Sequence, residues 1–172
     1  MFDILPELQA RGLVYQTTDD QGLGGWLAEG QRTLYIGFDP TADSMHVGHM
    51  MALMNLRRFQ QAGHRPIALV GGATGMIGDP SGKSEERNLL NEDQLRANSD
   101  AMKEQMARFL DFDEGSGAAV LVNNLDWMQQ FNLLTFLRDI GKNFPVNVML
   151  GKESVKNRLS DTESGLSFTE FS

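Results

Sequence analysis

Two short apolar runs, residues 33–38 and 66–70, are separated by a stretch with helical periodicity from about 48 to 63. Each run is rich in strand-forming residues, and glycine or Asp-Pro turn chemistry follows it directly. A strand–helix–strand order predicts two parallel strands joined by a right-handed crossover. This unit restricts the chain to α/β folds, in which ligand-binding loops lie at the carboxyl ends of the strands.

The remaining periodicity extends the α/β prediction to most of the chain. We expect short helices over residues 2–11 and from the Asp19 region to Leu27, a helix starting at Asn91, a third buried strand over 118–122 and a helix over 131–140. The expected buried residues of the two long helices are Met50, Leu53, Met54 and Phe59 in one, and Leu95, Met102, Met106 and Phe109 in the other. The predicted fold is a parallel sheet preceded by short N-terminal helices.

Composition excludes several classes of protein. Lys and Arg number 15 against 23 Asp and Glu, a net charge of -8, which argues against a domain that coats nucleic acid. The chain has no Cys, which removes disulfides and thiolate chemistry. Asp3 and Glu7 lie where a secretory signal would need a basic, apolar start, and no run is long enough to cross a bilayer. We expect a cytoplasmic protein without a membrane partner.

The tetrapeptide His46-Val47-Gly48-His49 follows the first strand and opens the next helix. Free N–H groups and the dipole at a helix N-terminus favour an anion, and two imidazoles three residues apart add donors aimed at a phosphate. Gly48 leaves room for a ligand against the backbone. A metal-binding pair remains an alternative without a third ligand of matching spacing, and so do two unremarkable histidines.

A glycine-rich loop over residues 71–84 follows the second strand, but it matches neither a P-loop nor a dinucleotide fingerprint in its spacing. Asp79, held beside a proline, suits the ammonium group of a ligand, and an Asx-turn role is the alternative. Lys83 and Arg87 form a basic pair that either contacts a phosphate or lies on a solvated face.

Tyr35 lies within the first predicted strand, close to this loop. A tyrosine in a buried strand packs in the core with its hydroxyl bonded to a polar group, or it lines a pocket. Spacing alone leaves both roles open.

Several segments together resemble a known family. Residues 46–49 resemble the HIGH motif of class I aminoacyl-tRNA synthetases, and the chain from about residue 30 onward is similar to bacterial tyrosyl-tRNA synthetases. The segments that carry the resemblance are 34–44, 69–82, 123–127, 136–142 and 167–171. The resemblance implies a Rossmann-like (HUP-type) fold, with a helical segment over 1–30 and the first half of the catalytic domain over 31–172. It also implies truncation at the C-terminus and an inactive fragment.

The resemblance also implies an activity and its residues. Tyrosine would be activated with ATP to tyrosyl-adenylate and transferred to tRNA(Tyr), with Mg²⁺ accompanying ATP, no metal held by the protein, and a homodimer as the full-length enzyme. The tyrosine-binding residues would be Tyr35, Gly37, Thr74, Asp79 and Asn124. The ATP-binding residues would be Asp39, Pro40, Thr41, His46, Gly48 and His49, and the catalytic ones Thr41, His46, His49, Lys83 and Arg87.

Three alternatives remain beside this interpretation. A tryptophanyl-tRNA synthetase shares the histidine motif, although Tyr35 with Asp79 favours tyrosine. A smaller nucleotidyltransferase with a His-x-Gly-His helix usually carries its motif nearer the N-terminus. An RNA-binding or interaction fragment is disfavoured by the acidic charge.

Overall fold

The computed structural model describes residues 3–77 and 92–151, together with 155, 156, 159 and 171. Its elements, in chain order, are α1 (Leu5–Ala10), α2 (Leu23–Glu29), β1 (Thr33–Phe38), α3 (Val47–Gln61), β2 (Arg65–Val70), α4 (Gly72–Ile77), α5 (Glu92–Met106), β3 (Val120–Asn123), α6 (Leu125–Met128), α7 (Leu133–Thr135), a π-helical turn (Phe136–Ile140), a 3₁₀ turn (Gly141–Asn143) and α8 (Val146–Leu150). No helix in this described part is long and apolar enough to span a bilayer.

The three strands form one parallel sheet in the order β1-β2-β3. Phe38 pairs with Val70 at the end of β1, and Val70 pairs with Asn123 at the end of β3. The carboxyl ends of all three strands therefore lie at one edge of the sheet. The α/β prediction and its parallel strands are confirmed.

The main core lies between one face of the sheet and helices α3 and α5. Phe38 and Ala68 point into it from the strands, and Leu53, Leu56 and Met102 fill it from the helices. The expectation of a buried Met50 is wrong, because 37% of this residue is exposed. Leu53 and Leu56 form the face of α3 that packs on the sheet. Because α3 has apolar residues on several faces, periodicity alone does not show which face is buried.

The opposite face of the sheet is more open. Exposure alternates along β1, with Tyr35 and Gly37 exposed and Leu34 and Ile36 half-buried against the core. Tyr35 is 68% exposed. The interpretation of Tyr35 as a residue packed in the core is therefore wrong for the described part of the chain.

The N-terminal helices form a second, smaller core. Ile4 and Leu8 of the α1 region pack with Leu27 of α2, and Phe59 and Ala62 at the end of α3 complete the cluster. The two predicted short helices are thereby confirmed, and their apolar faces cover the far end of α3.

Two sequence expectations differ in detail from the structure. Asp19 accepts hydrogen bonds from the N–H groups of Gln21 and Gly22, and α2 begins only after this turn. The helix expected over 131–140 begins at Leu133, because the Asn132 side chain accepts from the Thr135 N–H, and it continues as a π-helical turn. Segment 167–171, which carries part of the family resemblance, lies outside the described residues except at residue 171.

Candidate active site

The residues that follow the three strands are tied to one another by backbone hydrogen bonds. The Gly71 N–H donates to the Phe38 carbonyl at 2.9 Å, and the Asn124 N–H donates to the Val70 carbonyl at 3.0 Å. The loops that leave β1, β2 and β3 are adjacent for this reason. Side chains widely separated in sequence can therefore act on one ligand at this edge.

His46 caps helix α3. Its Nδ1 accepts hydrogen bonds from the N–H groups of Gly48, at 3.1 Å, and His49, at 3.4 Å. The expectation that these N–H groups are free for an anion is wrong, because the His46 imidazole satisfies both. An Nδ1 that accepts leaves the ring proton on Nε2, so His46 offers a ligand one Nε2–H donor.

His49 lies directly against His46. The two rings stack with their centroids 3.8 Å apart, and the Phe38 ring lies edge-on to His49 with the two centroids 6.1 Å apart. Burial lowers the pKa of His49, the neighbouring His46 lowers it further, and Asp39 acts in the opposite direction. His49 is thus held mainly neutral near pH 7, and its buried Nδ1 has no hydrogen-bond partner in the described part of the chain.

Gly48 lies close against the histidine cap. A Cβ atom at this position would lie 3.0 Å from His46 Cε1 and 3.1 Å from Nδ1, so the imidazole would have to move. The sequence indicated Gly48 as space for a ligand, and the structure shows that the His46 ring occupies part of that space.

Asp39 and Thr74 meet over Gly71. A Cβ atom at Gly71 would lie 3.0 Å from Asp39 Oδ1 and 2.5 Å from Thr74 Oγ1, so only glycine fits. The Thr74 hydroxyl donates to the Gly71 carbonyl at 3.0 Å. The structure therefore brings together one residue expected on the ATP side and one expected on the tyrosine side.

Asn124 links the end of β3 to the start of α4. Its Oδ1 accepts from the Ala73 N–H at 2.7 Å, which leaves the amide nitrogen as the half of the side chain able to bind a ligand. A Cβ atom at Gly72 would collide with the amide of Asn123. Glycine at 72 thus allows the two strand ends to approach.

The other expected site residues lie along β1 and the loop after it. Tyr35 and Gly37 lie on the open face of the sheet, and Asp39 directly follows the end of β1. Pro40 is buried, whereas Thr41 is exposed, and the Thr41 N–H donates to the Asp39 carbonyl at 2.9 Å. Asp79, Lys83 and Arg87 lie outside the described residues.

Two residues that the sequence did not indicate contact the same loop. Asn98 Nδ2 donates to the Pro40 carbonyl, and Gln105 bonds to the backbone of Asp43 and Met45. The sequence feature that could have identified them is a pair of amides seven residues apart on the apolar stripe of α5. Within residues 3–77 and 92–151, no three His, Asp or Glu side chains come together as a metal site.

This site can be compared with those of known proteins. The family model described as tRNA synthetases class I (W and Y) matches residues 28–172. The chain belongs to this family. The match includes the three strands, the His46–His49 segment and the loops of the site, so the synthetase resemblance carried by these motifs is confirmed.

Among curated synthetases, the chain is 64% identical over 169 residues to the "Tyrosine--tRNA ligase" of Rhodopirellula baltica, covering 98% of this chain and 38% of the relative. It is 58% identical over 170 residues to the ligase of the same name from Geobacillus stearothermophilus, covering 99% of this chain and 40% of the relative. The chain thus spans about two fifths of the length of these relatives.

A solved structure agrees with the sequence relatives. A C-terminally truncated mitochondrial tyrosyl-tRNA synthetase of Aspergillus nidulans superposes with a TM-score of 0.81 at 32% identity, over 98% of this chain and 50% of that one. The predicted Rossmann-like architecture is therefore that of a synthetase catalytic domain.

Proposed function

We propose that this chain forms part of a tyrosine–tRNA ligase, which activates L-tyrosine with ATP to tyrosyl-adenylate and transfers the tyrosyl group to tRNA(Tyr). The observation that carries the proposal is the His46 cap, which leaves Nε2–H as a donor on a histidine pair stacked beside Phe38 at the end of β1. Support comes from relatives at 58–64% identity that carry the name tyrosine–tRNA ligase.

The tyrosine pocket lies on the open face of the sheet in this proposal. Tyr35 would bond the phenolic hydroxyl of the substrate, and Gly37, two residues along the same face, would leave space for its ring. Thr74 and Asn124 would line the pocket from the ends of β2 and β3, and Asp79 would hold the ammonium group. The 68% exposure of Tyr35 supports this role, since an open phenol is available to a ligand.

The ATP side lies on the loop after β1 and the start of α3. Thr41 and the His46 Nε2–H would stabilise the α-phosphate and the departing pyrophosphate, because they can donate to charge that grows during the reaction. Asp39, Pro40, Gly48 and His49 would complete the nucleotide contacts, and Lys83 and Arg87 would contact the pyrophosphate. ATP enters with its accompanying Mg²⁺.

The reaction in this proposal needs no covalent enzyme intermediate. A carboxylate oxygen of tyrosine attacks the α-phosphorus, a new P–O bond forms, and the bond to the bridging oxygen breaks to release pyrophosphate. The protein accelerates the step by orienting the two substrates and by placing hydrogen-bond donors around the phosphates.

The wider organisation is also proposed. Residues 1–30 would form an N-terminal helical segment, and 31–172 would form the first half of the catalytic domain. The whole enzyme would be a cytoplasmic homodimer that binds tRNA(Tyr). The exposed apolar side chains over 133–150 support association with another surface.

The proposal is tested by a chimera in which this chain replaces the aligned segment of the Geobacillus stearothermophilus ligase. We expect ATP–pyrophosphate exchange that depends on tyrosine and not on tryptophan. A Tyr35→Phe chimera should lose selectivity for tyrosine over phenylalanine by about 1–3 kcal/mol, the cost of an unmade buried hydrogen bond. Exchange driven by tryptophan, or no exchange by a folded chimera, would contradict the proposal.

A further inference from the structure

Two amide side chains of α5, Asn98 and Gln105, bind the backbone of the loop over residues 39–46. Neither belongs to the residues proposed to contact tyrosine or ATP. We propose that both are positioning residues, which fix the loop that presents Thr41 and His46 to the triphosphate. The expected effect on the reaction rests on the proposed function, whereas the fixing of the loop by the two amides does not.

The amides bind the loop at both of its ends. Asn98 Nδ2 donates to the Pro40 carbonyl at 3.0 Å, directly before Thr41. Gln105 Nε2 donates to the Asp43 carbonyl at 2.9 Å, and its Oε1 accepts from the Met45 N–H at 3.0 Å. The last of these bonds lies one residue before the His46 cap.

Helix α5 is a rigid base for these bonds. Asn98 and Gln105 are seven residues apart, so two helical turns bring them to one stripe. Met102 lies between them on the same stripe and is fully buried in the main core, as is Met106. The backbone that carries both amides is therefore fixed in the core, and the loop is bonded to a rigid element.

Between its ends, the loop is exposed to solvent. The side chains of residues 41–44 are exposed, whereas Asp39, Pro40 and Met45 are buried or half-buried. Backbone bonds to α5 therefore determine where the exposed side chains point. In a reaction driven by orientation, a displacement of about 1 Å can reduce the rate about 100-fold.

The role of Gln105 is tested first on the 172-residue chain, through hydrogen exchange of the Met45 amide. Gln105→Met keeps side-chain length and helix propensity but removes both bonds to the loop. We expect the Met45 N–H to exchange at least about tenfold faster in this variant. Gln9→Met, the same change on an exposed position of α1, should leave that exchange unchanged. Equal protection of Met45 in the parent and Gln105→Met would overturn the proposal.

Kinetics in the chimera tests the consequence for the reaction. Asn98→Leu and Gln105→Met should each lower the rate constant of tyrosyl-adenylate formation about 10- to 100-fold and leave the Kd of tyrosine within about twofold. An unchanged rate constant would overturn the proposal. A parallel loss of rate, tyrosine affinity and Tm would also overturn it, since that pattern indicates a merely structural role. An inactive parent chimera would contradict the proposed function instead, and Met45 exchange would still decide whether Gln105 holds the loop.

Discussion

His46 combines two tasks in one side chain. Its Nδ1 stabilises the first turn of α3 through the N–H groups of Gly48 and His49, and its Nε2 remains for a ligand. The cap determines the tautomer in the unliganded chain, so no proton would have to be rearranged on binding of a ligand that accepts from Nε2. Helix stability and ligand contact can be separated by substitution, since they use different ring nitrogens.

Two substitutions at His46 separate these tasks. Asparagine is a favourable N-cap but lacks a donor at the Nε2 position, whereas alanine lacks both. We expect His46→Asn to keep the stability of the chain and to lower adenylate formation in the chimera about 100-fold or more. His46→Ala should show the same kinetic loss and a further loss of about 0.5–2 kcal/mol in stability. Urea denaturation and rapid-quench kinetics measure the two effects. A near-parental rate of adenylate formation in His46→Asn would show that His46 takes no part in this step.

His64 makes the fold sensitive to acid. The residue is fully buried, its Nδ1 accepts from the Arg32 N–H at 3.2 Å, and Nε2 has no partner within the described residues. Burial lowers the pKa of His64, and the positive charge of Arg32 lowers it further. The unfolded chain, with an ordinary histidine pKa of about 6.5, takes up the proton first, so stability falls as the pH drops below that value.

We expect the Tm of the parent to fall between pH 7.5 and pH 5, and to fall less in His64→Asn, whose amide oxygen can still accept from Arg32. His49 titrates in the same direction in both proteins, so the difference between them isolates His64. Parallel Tm–pH curves for the two proteins would show that His64 does not titrate on unfolding.

Helix α3 connects the candidate site to the opposite edge of the sheet. Its C-terminal part holds the segment that enters β3 through Gln60, whose Nε2 donates to the carbonyls of Asp111, at 2.7 Å, and Gly117, at 3.0 Å. Gln60 Oε1 accepts from the Asp111 N–H at 3.0 Å. One side chain thus fixes the approach of a strand that ends at the site.

Loss of this side chain should destabilise the domain as a whole. We expect Gln60→Met to lower the free energy of unfolding by about 1–3 kcal/mol, because backbone groups of the β3 approach lose their partners. Gln61→Met is the matched control, since Gln61 is exposed and adjacent. Urea denaturation measures both variants, and equal stabilities would show that the approach to β3 is held by other contacts.

Elements with one clear period were predictable. Strands β1 and β2 are short apolar runs, and both were predicted to within one residue at each end. Helix α5 has its buried residues at helical spacing, and its start was predicted to within one residue. Features that depend on a neighbouring element were not predictable. Met50 and Leu56 are both apolar, and only the position of the sheet decides which one is buried. From the sequence, Asn98 and Gln105 are indistinguishable from surface amides, because their hydrogen bonds are made to a loop about 60 residues away in the chain.

At the scale of the whole molecule, the described part exposes many large apolar side chains. The residues concerned in the C-terminal third include Leu133, Leu134, Leu137, Phe144, Val146 and Val148. An apolar surface of this kind is typical of a protein interface. It is consistent with the proposed homodimer.

We expect the chain to self-associate in solution and Leu134→Lys to weaken that association. Leu134 is 78% exposed, and burial of a leucine contributes about 1.5–3 kcal/mol, so the dissociation constant should rise at least about tenfold. Tyr15→Lys is the control, because Tyr15 is fully exposed and lies at the N-terminal end of the chain. Sedimentation equilibrium measures the association, and a monomeric parent would contradict the prediction.

The alternation along β1 also limits how the length of this chain can vary. Leu34 and Ile36 pack against the core while Tyr35 and Gly37 face the open side. Loss of one residue before Tyr35 would move the phenol into the core and isoleucine onto the open face, because side chains in a strand alternate strictly. Insertions and deletions are therefore excluded from β1 even where single substitutions fold. Related sequences should therefore differ in length in the loops between elements and not within β1.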